Sequence, residues 1–279
     1  MSCMRWLLAR LSRRTRIRLS QLKELRSAVE STRRLKEVFD NRWFEDVREL
    51  ILRAWREPSL KLDSHPAFIG YLHDALLDPE RRNLLKEVDE ALDSISEAAQ
   101  RRLSDKLRKV ARGTDDYVSV VFEVLVVQRF VAEELLVEYE PRIASGRPEA
   151  SVTLAGQRAL VEARATLDSS FSRPSGAYEP KDLGLRLAGK IQEKYQGQLS
   201  AATVPAVLFV GLNVNLRFDD DEIRVAFDKV AADAGSAVLS AIVLSEDFRA
   251  RRFKVWLNPR SKQPLSPKAQ GVLDRVLGL

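Results

Sequence analysis

Acids and a cation crowd one short stretch of this chain. Between Arg147 and Arg164 it reads RPEASVTLAGQRALVEAR, with Glu149 near one end and Glu162 and Arg164 at the other. Ala150, Val152 and Leu154 alternate with Ser151 and Thr153, the period of a half-buried strand. Gly156, Gln157 and Arg158 make a turn, and Ala159 to Thr166 form the return strand. On that strand Leu160, Glu162 and Arg164 share one face, while Val161, Ala163 and Ala165 share the other. A carboxylate and a guanidinium thus sit about 6–7 Å apart on one face, and the hairpin brings Glu149 close to Glu162. Two readings stand at this level. Glu162 and Arg164 form a simple charge pair on an exposed strand, and Pro148-Glu149 is only a strand start, where proline is tolerated. Alternatively, the acids and the cation are gathered for chemistry.

The neighbouring elements bring further charged groups. Thr114 to roughly Glu138 reads as a helix, with Thr114 as cap and Asp115 and Asp116 in its positive first turn. Val118, Val120, Val121 and Val124 also suit a strand. Within Val120–Val127 the sole charge is Glu123. Burial of an unpaired carboxylate is costly, so Glu123 requires a metal, a cation or a water-filled cleft. Pro180 to Leu199 is a helix whose core stripe is Leu183, Leu187, Ile191, Tyr195 and Leu199. Lys190, Lys194 and Gln198 form a second row beside that stripe, one residue earlier; on the residues alone the lysines are equally well solvated flanks. Pro205–Leu212 is apolar enough to be a strand buried on both faces.

Pro148-Glu149 followed by Glu162-Ala163-Arg164 resembles the signature of the PD-(D/E)XK nuclease superfamily, with Glu for the motif's Asp and Arg for its Lys. The resemblance covers about 100 residues, from Thr114 to Asn213. It implies an α/β protein with the restriction-endonuclease-like αβββαβ core and a mixed sheet, its first strand near Leu135–Tyr139. It also implies Mg²⁺- or Mn²⁺-dependent phosphodiester hydrolysis, DNA first, in restriction, repair or defence. Glu149, Glu162 and Glu123 are the metal ligands under this resemblance, helped by the Ala163 carbonyl, and Arg164 takes the Lys position beside the phosphate. Arginine there can stabilise transition-state charge but cannot accept a proton. Lys190, Lys194 and Gln198 are expected to lean toward nucleic acid. The alternative is a catalytically inactive nuclease-like protein that binds nucleic acid or acts as a scaffold.

Charge and composition bound the rest. The net charge is +6 over 279 residues. Arg5, Arg10, Arg13, Arg14, Arg16 and Arg18 occupy an acid-free N-terminal segment, and Phe248–Lys268 is a second acid-free block that includes Arg251 and Arg252. Such clusters attract phosphate backbones or anionic lipid, or they are a solvated, arginine-rich surface. No apolar run nears 18 residues, so no membrane span is expected, and the short Trp6–Ala9 segment does not make a signal peptide. A single cysteine, Cys3, excludes a disulfide framework, and a cytoplasmic location is expected. His65 and His73 lack an acid cluster for metal ligation. No phosphate-binding glycine loop or nucleophile elbow occurs.

Gly113 is the expected boundary between a helical region, 1–113, and an α/β region, 114–279. Two helices are expected in Ser20–Glu57, meeting near Asp40-Asn41. Pro79 should open one long helix, its stripe running from Leu85 to Val110 over roughly seven turns and ending at Gly113. The helical region suits a bundle, and it suits a homodimer seam or a protein partner. Beyond Asn213, a helix from Asp219 to Ala234 and strands at Ala237–Leu244 and Arg252–Leu257 extend the sheet.

Overall fold

Serine and aspartate side chains punctuate the helices of the N-terminal half. The computed structural model describes residues 12–57, 79–110, 117–166, 180–212, 219–245 and 252–279, which fall into two compact units, Met1–Val120 and Val121–Leu279. In the first unit, Ser12 caps α1 (Arg13–Glu30) by accepting from the Thr15 amide at 3.1 Å. A one-turn helix, α2 (Leu35–Val38), follows, and Asp40 caps α3 (Asn41–Arg56) through the Trp43 amide at 2.8 Å. Trp43, Phe44, Val47 and Ile51 bury one face of α3. The later helix begins at Asp40-Asn41, as the sequence suggested, but α1 ends at Glu30, because Thr32 and Ser31 turn their hydroxyls back onto the Val29 and Ala28 carbonyls, and α2 fills the interval.

The single long helix expected after Pro79 is two helices, α4 (Pro79–Ser94) and α5 (Glu97–Val110). The break lies at three local polar contacts. Ser94 Oγ donates to the Ala91 carbonyl, Gln100 Nε2 donates to the Ile95 carbonyl, and Ser96 Oγ accepts the Ala99 amide. Serine so placed competes with helix backbone pairing. Ile95, Ala99, Leu103 and Leu107 stay buried on either side, so the apolar stripe runs through the break without a change of period. The expected boundary at Gly113 lies outside the described residues, as do His65, His73, Cys3, Arg5, Arg10 and Arg251.

The second unit is α/β, with a six-stranded mixed sheet in sequential order. Its first helix, α6 (Tyr117–Ala132), starts four residues before the boundary and is largely apolar; Val121, Phe122, Val126, Val127 and Phe130 are wholly buried. A helix of that kind belongs in an interior. It ends six residues earlier than the expected Glu138, because Leu136–Tyr139 is already strand β1. β2 (Ala150–Leu154) and β3 (Gln157–Thr166) continue the antiparallel part, with Leu136 opposite Val152 and Ala150 opposite Val161. Ala155 and Gly156, at φ 48° and 83°, form the two-residue turn between them; both φ values are positive, the hairpin geometry that matches strand twist and that glycine adopts without strain.

Then come α7 (Pro180–Lys194), a π-helical turn (Tyr195–Leu199) and β4 (Ala206–Leu212), which lies parallel to β3. The order from α6 to β4 is thus helix, three strands, helix, strand. α8 (Asp220–Ala232), with a reciprocal Asp219/Glu222 capping box, leads through a 3₁₀ turn to β5 (Leu239–Ser245), β6 (Phe253–Leu257) and α9 (Pro267–Leu277). β4 and β5 are buried throughout, as parallel strands covered on both faces must be.

One face of the sheet carries Leu160, Leu208, Val210 and Ile242 against Leu187 and Ile191 of α7 and Phe227 of α8. On the other face α6 lies so close that a Cβ on Gly211 would sit 3.0 Å from the Phe122 ring. Phe130 meets Phe209 edge-on at 5.9 Å there. Among the described residues no helix is long and apolar enough to cross a membrane.

Candidate active site

Glu162 is the most enclosed charge of the hairpin. It follows Leu160 by two on β3, so it points to the face covered by α7, and only 1% of its surface is exposed. Lys194, the last residue of α7, places Nζ 3.1 Å from Glu162 Oε1. The other oxygen, Oε2, is buried and has no hydrogen-bond partner among the described residues. Buried carboxylate oxygens are nearly always satisfied, so Oε2 has an unused capacity to bind.

Glu149 stands one residue before β2. Continued backward from Ala150 opposite Val161, the register sets it across from Glu162. Its carbonyl accepts from the Glu140 amide at 2.8 Å, at the end of β1 where Glu140 has φ 50°. The Leu160 amide bonds toward β4, at the Pro205 carbonyl, so the odd-numbered amides of β3 face β2. β2 begins at Ala150, and past it the Glu149 carboxylate takes the place of a strand acceptor: Oε2 accepts the Ala163 amide at 3.0 Å. The side chain is buried in the notch where β2 leaves β3.

Glu123 lies on the other side of the sheet. Tyr139 is opposite Ala150, which is opposite Val161, so Tyr139 points away from the Glu162 face. Its hydroxyl donates to Glu123 Oε1 at 2.5 Å. Burial, then the charge of Glu123, raises the Tyr139 phenol above its ordinary pKa, with Glu140 and Glu149 adding to the effect; Tyr139 is therefore a neutral donor. This hydroxyl supplies the partner that a buried Glu123 requires. The expected set of three carboxylates on one ion is not what the structure assembles: among the described residues no three acidic, histidine or cysteine side chains are grouped to hold a metal. The reason is the strand period, because Glu162 and the α6 layer occupy opposite faces.

Arg164 shares the Glu162 face but is exposed, and it has neither ion pair nor hydrogen bond among the described residues. The cation of Glu162 comes instead from α7. Lys190 is turned outward to Glu193 at 3.4 Å. Gln198, expected to lean toward nucleic acid, spends its Oε1 on the Arg147 amide at 3.0 Å. Arg252 is exposed at the start of β6. Tyr139 was the functional neighbour that sequence reasoning missed; its signal is an aromatic hydroxyl on a strand next to an apolar helix holding one acid, since a buried tyrosine needs a polar partner.

Past Lys194 the helix widens into the π turn. Tyr195 is fully buried, and its hydroxyl donates to the Asp233 carboxylate, which also accepts from Gln192 Nε2 at 3.3 Å and the Gly235 amide at 3.1 Å. The Tyr195 bond, followed by the Gly235 amide, holds Asp233 below the usual carboxylate value of 3.8. A depressed carboxylate contributes stability that is present above its unfolded pKa and is lost as pH falls through the folded one. Tyr195→Phe removes the largest cause. The stability gap between wild type and variant is thus expected to be widest above about pH 4 and to narrow below it. Urea unfolding at about pH 6 and about pH 3 measures this; a gap that does not narrow would assign the loss to packing alone.

Set beside known protein families, curated proteins and solved structures, the chain matches none of them.

Proposed function

We propose that this protein is a Mg²⁺- or Mn²⁺-dependent nuclease with a restriction-endonuclease-like core, acting on DNA. The observation that carries this reading is Glu162 Oε2, a buried carboxylate oxygen without a hydrogen-bond partner among the described residues, on a side chain whose other oxygen is held by Lys194. Support also comes from the element order between α6 and β4, and from the acid at the foot of β2 opposite an acid on β3.

Glu162 and Glu149 would hold the ion, with the Ala163 carbonyl, which leaves β3 on the same side as its amide. Hard carboxylate and carbonyl oxygens suit Mg²⁺ and Mn²⁺. The ion supplies Lewis-acid polarisation of a phosphate and a more acidic water. Lys194, with 23% of its side chain exposed, can stay paired with Glu162 and still present positive charge to a phosphate. Glu123 and Tyr139 brace the back of the sheet. The acid-free segments containing Arg13, Arg16 and Arg18, and Arg252, Arg260 and Lys262, would add salt-dependent affinity for the backbone.

One feature favours a second reading, a nuclease-like protein that binds nucleic acid without cutting it: Lys194 already neutralises Glu162 without an ion. A plasmid-nicking assay with Mg²⁺ and Mn²⁺ separates the two. Wild type is expected to nick only with the ion, and, because Lys194 rather than Arg164 is the cation paired with Glu162, Arg164→Ala to keep activity within about threefold, under about 1 kcal/mol of transition-state stabilisation. Binding without nicking under both ions would select the second reading. Loss of nicking in Arg164→Ala would return Arg164 to the site in place of Lys194.

A further inference from the structure

We infer that Gln198 is a positioning residue that fixes where Glu149 sits. The inference rests on the nuclease reading for what Glu149 is used for, but not for the contact itself.

The loop between β1 and β2 ends in Arg147-Pro148-Glu149. Its tip is closed by a pair of backbone bonds between Ile143 and Gly146. The π turn after α7 reaches across and holds this loop at two places. Gln198 Oε1 accepts the Arg147 amide at 3.0 Å, and the Gln198 carbonyl accepts Ser145 Oγ at 3.0 Å. Ser145 Oγ in turn accepts the Ala201 amide at 3.1 Å. A Cβ on Gly146 would collide with Gln198 Oε1, so glycine is what admits the side chain this close.

What is held at Arg147 is passed on to Glu149. The residue before proline is confined to extended backbone, and Pro148 has a fixed φ and is buried. Two stiff residues therefore separate the gripped amide from the carboxylate that occupies the notch. The same helical segment carries Lys194 at its start. Its register is set by Tyr195, wholly buried and bonded to Asp233. The wider turn places Gln198 over the loop while Lys194 faces Glu162. Single π turns of this sort occur often where a helix serves a site.

The Ala163 amide reports on the arrangement directly, because its acceptor is Glu149 Oε2. The experiment is residue-resolved hydrogen exchange on the full chain, with Mn²⁺ titration beside it. Gln198→Ala is expected to speed exchange at Ala163 by roughly tenfold and to leave Leu160, whose acceptor is the Pro205 carbonyl, unchanged. Manganese affinity should fall by roughly tenfold, the usual effect of losing a residue that orients a ligand. Gln198→Glu keeps an acceptor and should restore Ala163 protection. Gly146→Ala, which drives Gln198 away, should reproduce Gln198→Ala.

Unchanged Ala163 exchange in Gln198→Ala overturns the inference, whatever the metal does. Equal acceleration at Ala163 and Leu160 also overturns it, since that is general loosening of the sheet. Selective acceleration in Gln198→Ala, beside a wild type that binds no Mn²⁺, would uphold the positioning role and remove the nuclease reading instead.

Discussion

Lys194→Ala is expected to lower stability by about 3–5 kcal/mol, the loss seen when one partner of a buried ion pair is removed. Glu162 is 1% exposed and Lys194 is 23% exposed, so the carboxylate has no water to fall back on, whereas the ammonium has some. With a urea m value of about 2–3 kcal/mol/M, the midpoint should move down by roughly 1–2 M at constant slope. Removing both charges tests the cause. Glu162→Leu combined with Lys194→Met places apolar volume where the pair was, and should recover at least about 2 kcal/mol of the single-variant loss, because a buried pair is often no better than a well-packed apolar substitute. A shift under about 1 kcal/mol for Lys194→Ala would mean that water screens the pair as it does surface pairs.

Glu162→Gln should remove nicking by a factor of about 10³ or more, since charge stabilisation by a metal is worth several kcal/mol and each 1.4 kcal/mol is about tenfold. The amide keeps the shape of the side chain, and Lys194 is exposed enough to find water. Stability is therefore expected to change by only about 1 kcal/mol. Glu123→Gln is the contrast. Its carboxylate is bonded to Tyr139 on the far face, and it should cost less than about tenfold in rate while lowering stability, because a buried hydrogen bond to a charged group is weakened. Turnover rates and unfolding midpoints on both variants measure this. Equal rate losses in the two would put Glu123 back among the ion's ligands and contradict the separation by the sheet.

How far the sequence could be read depended on the range of each interaction. The hairpin was legible because Gly156 and the alternation from Ala150 to Ala165 are local, but its turn is Ala155-Gly156 and not Gly156 to Arg158, since Gln157 and Arg158 already pair with Leu154 and Thr153. The faces of β3 followed from that alternation, and so did the opposition of Glu149 and Glu162. The identity of the cation did not. Arg164 is two residues from Glu162 in the chain, and Lys194 is thirty-two away, yet the helix crossing brings the second to the carboxylate and leaves the first in solvent.

Glu123 was recognisable as an acid needing a partner, but that partner, Tyr139, depends on how α6 lies over β1. The break between α4 and α5 escaped because the apolar spacing is continuous through Ile95 and only three short polar contacts interrupt the backbone. The terminal helix α9 went unread although Ser266 and Pro267 mark its start, with Ser266 Oγ accepting the Ala269 amide at 3.2 Å.

The sequential order of the sheet leaves β1 and β6 as its two margins, and both are poor templates for another chain. β1 has four residues and a register shift between Leu136 and Glu138 that interrupts any regular row of amides. β6 has five residues, carries Lys254 paired with Asp220 at 2.6 Å, and is followed by Pro259. Short, irregular and charged margins are how open sheets avoid joining end to end. Among the described residues neither margin offers a long flat strand, so crowding at high concentration should not convert this sheet into a continuous ribbon of copies. Two copies would have to meet through helices or loops.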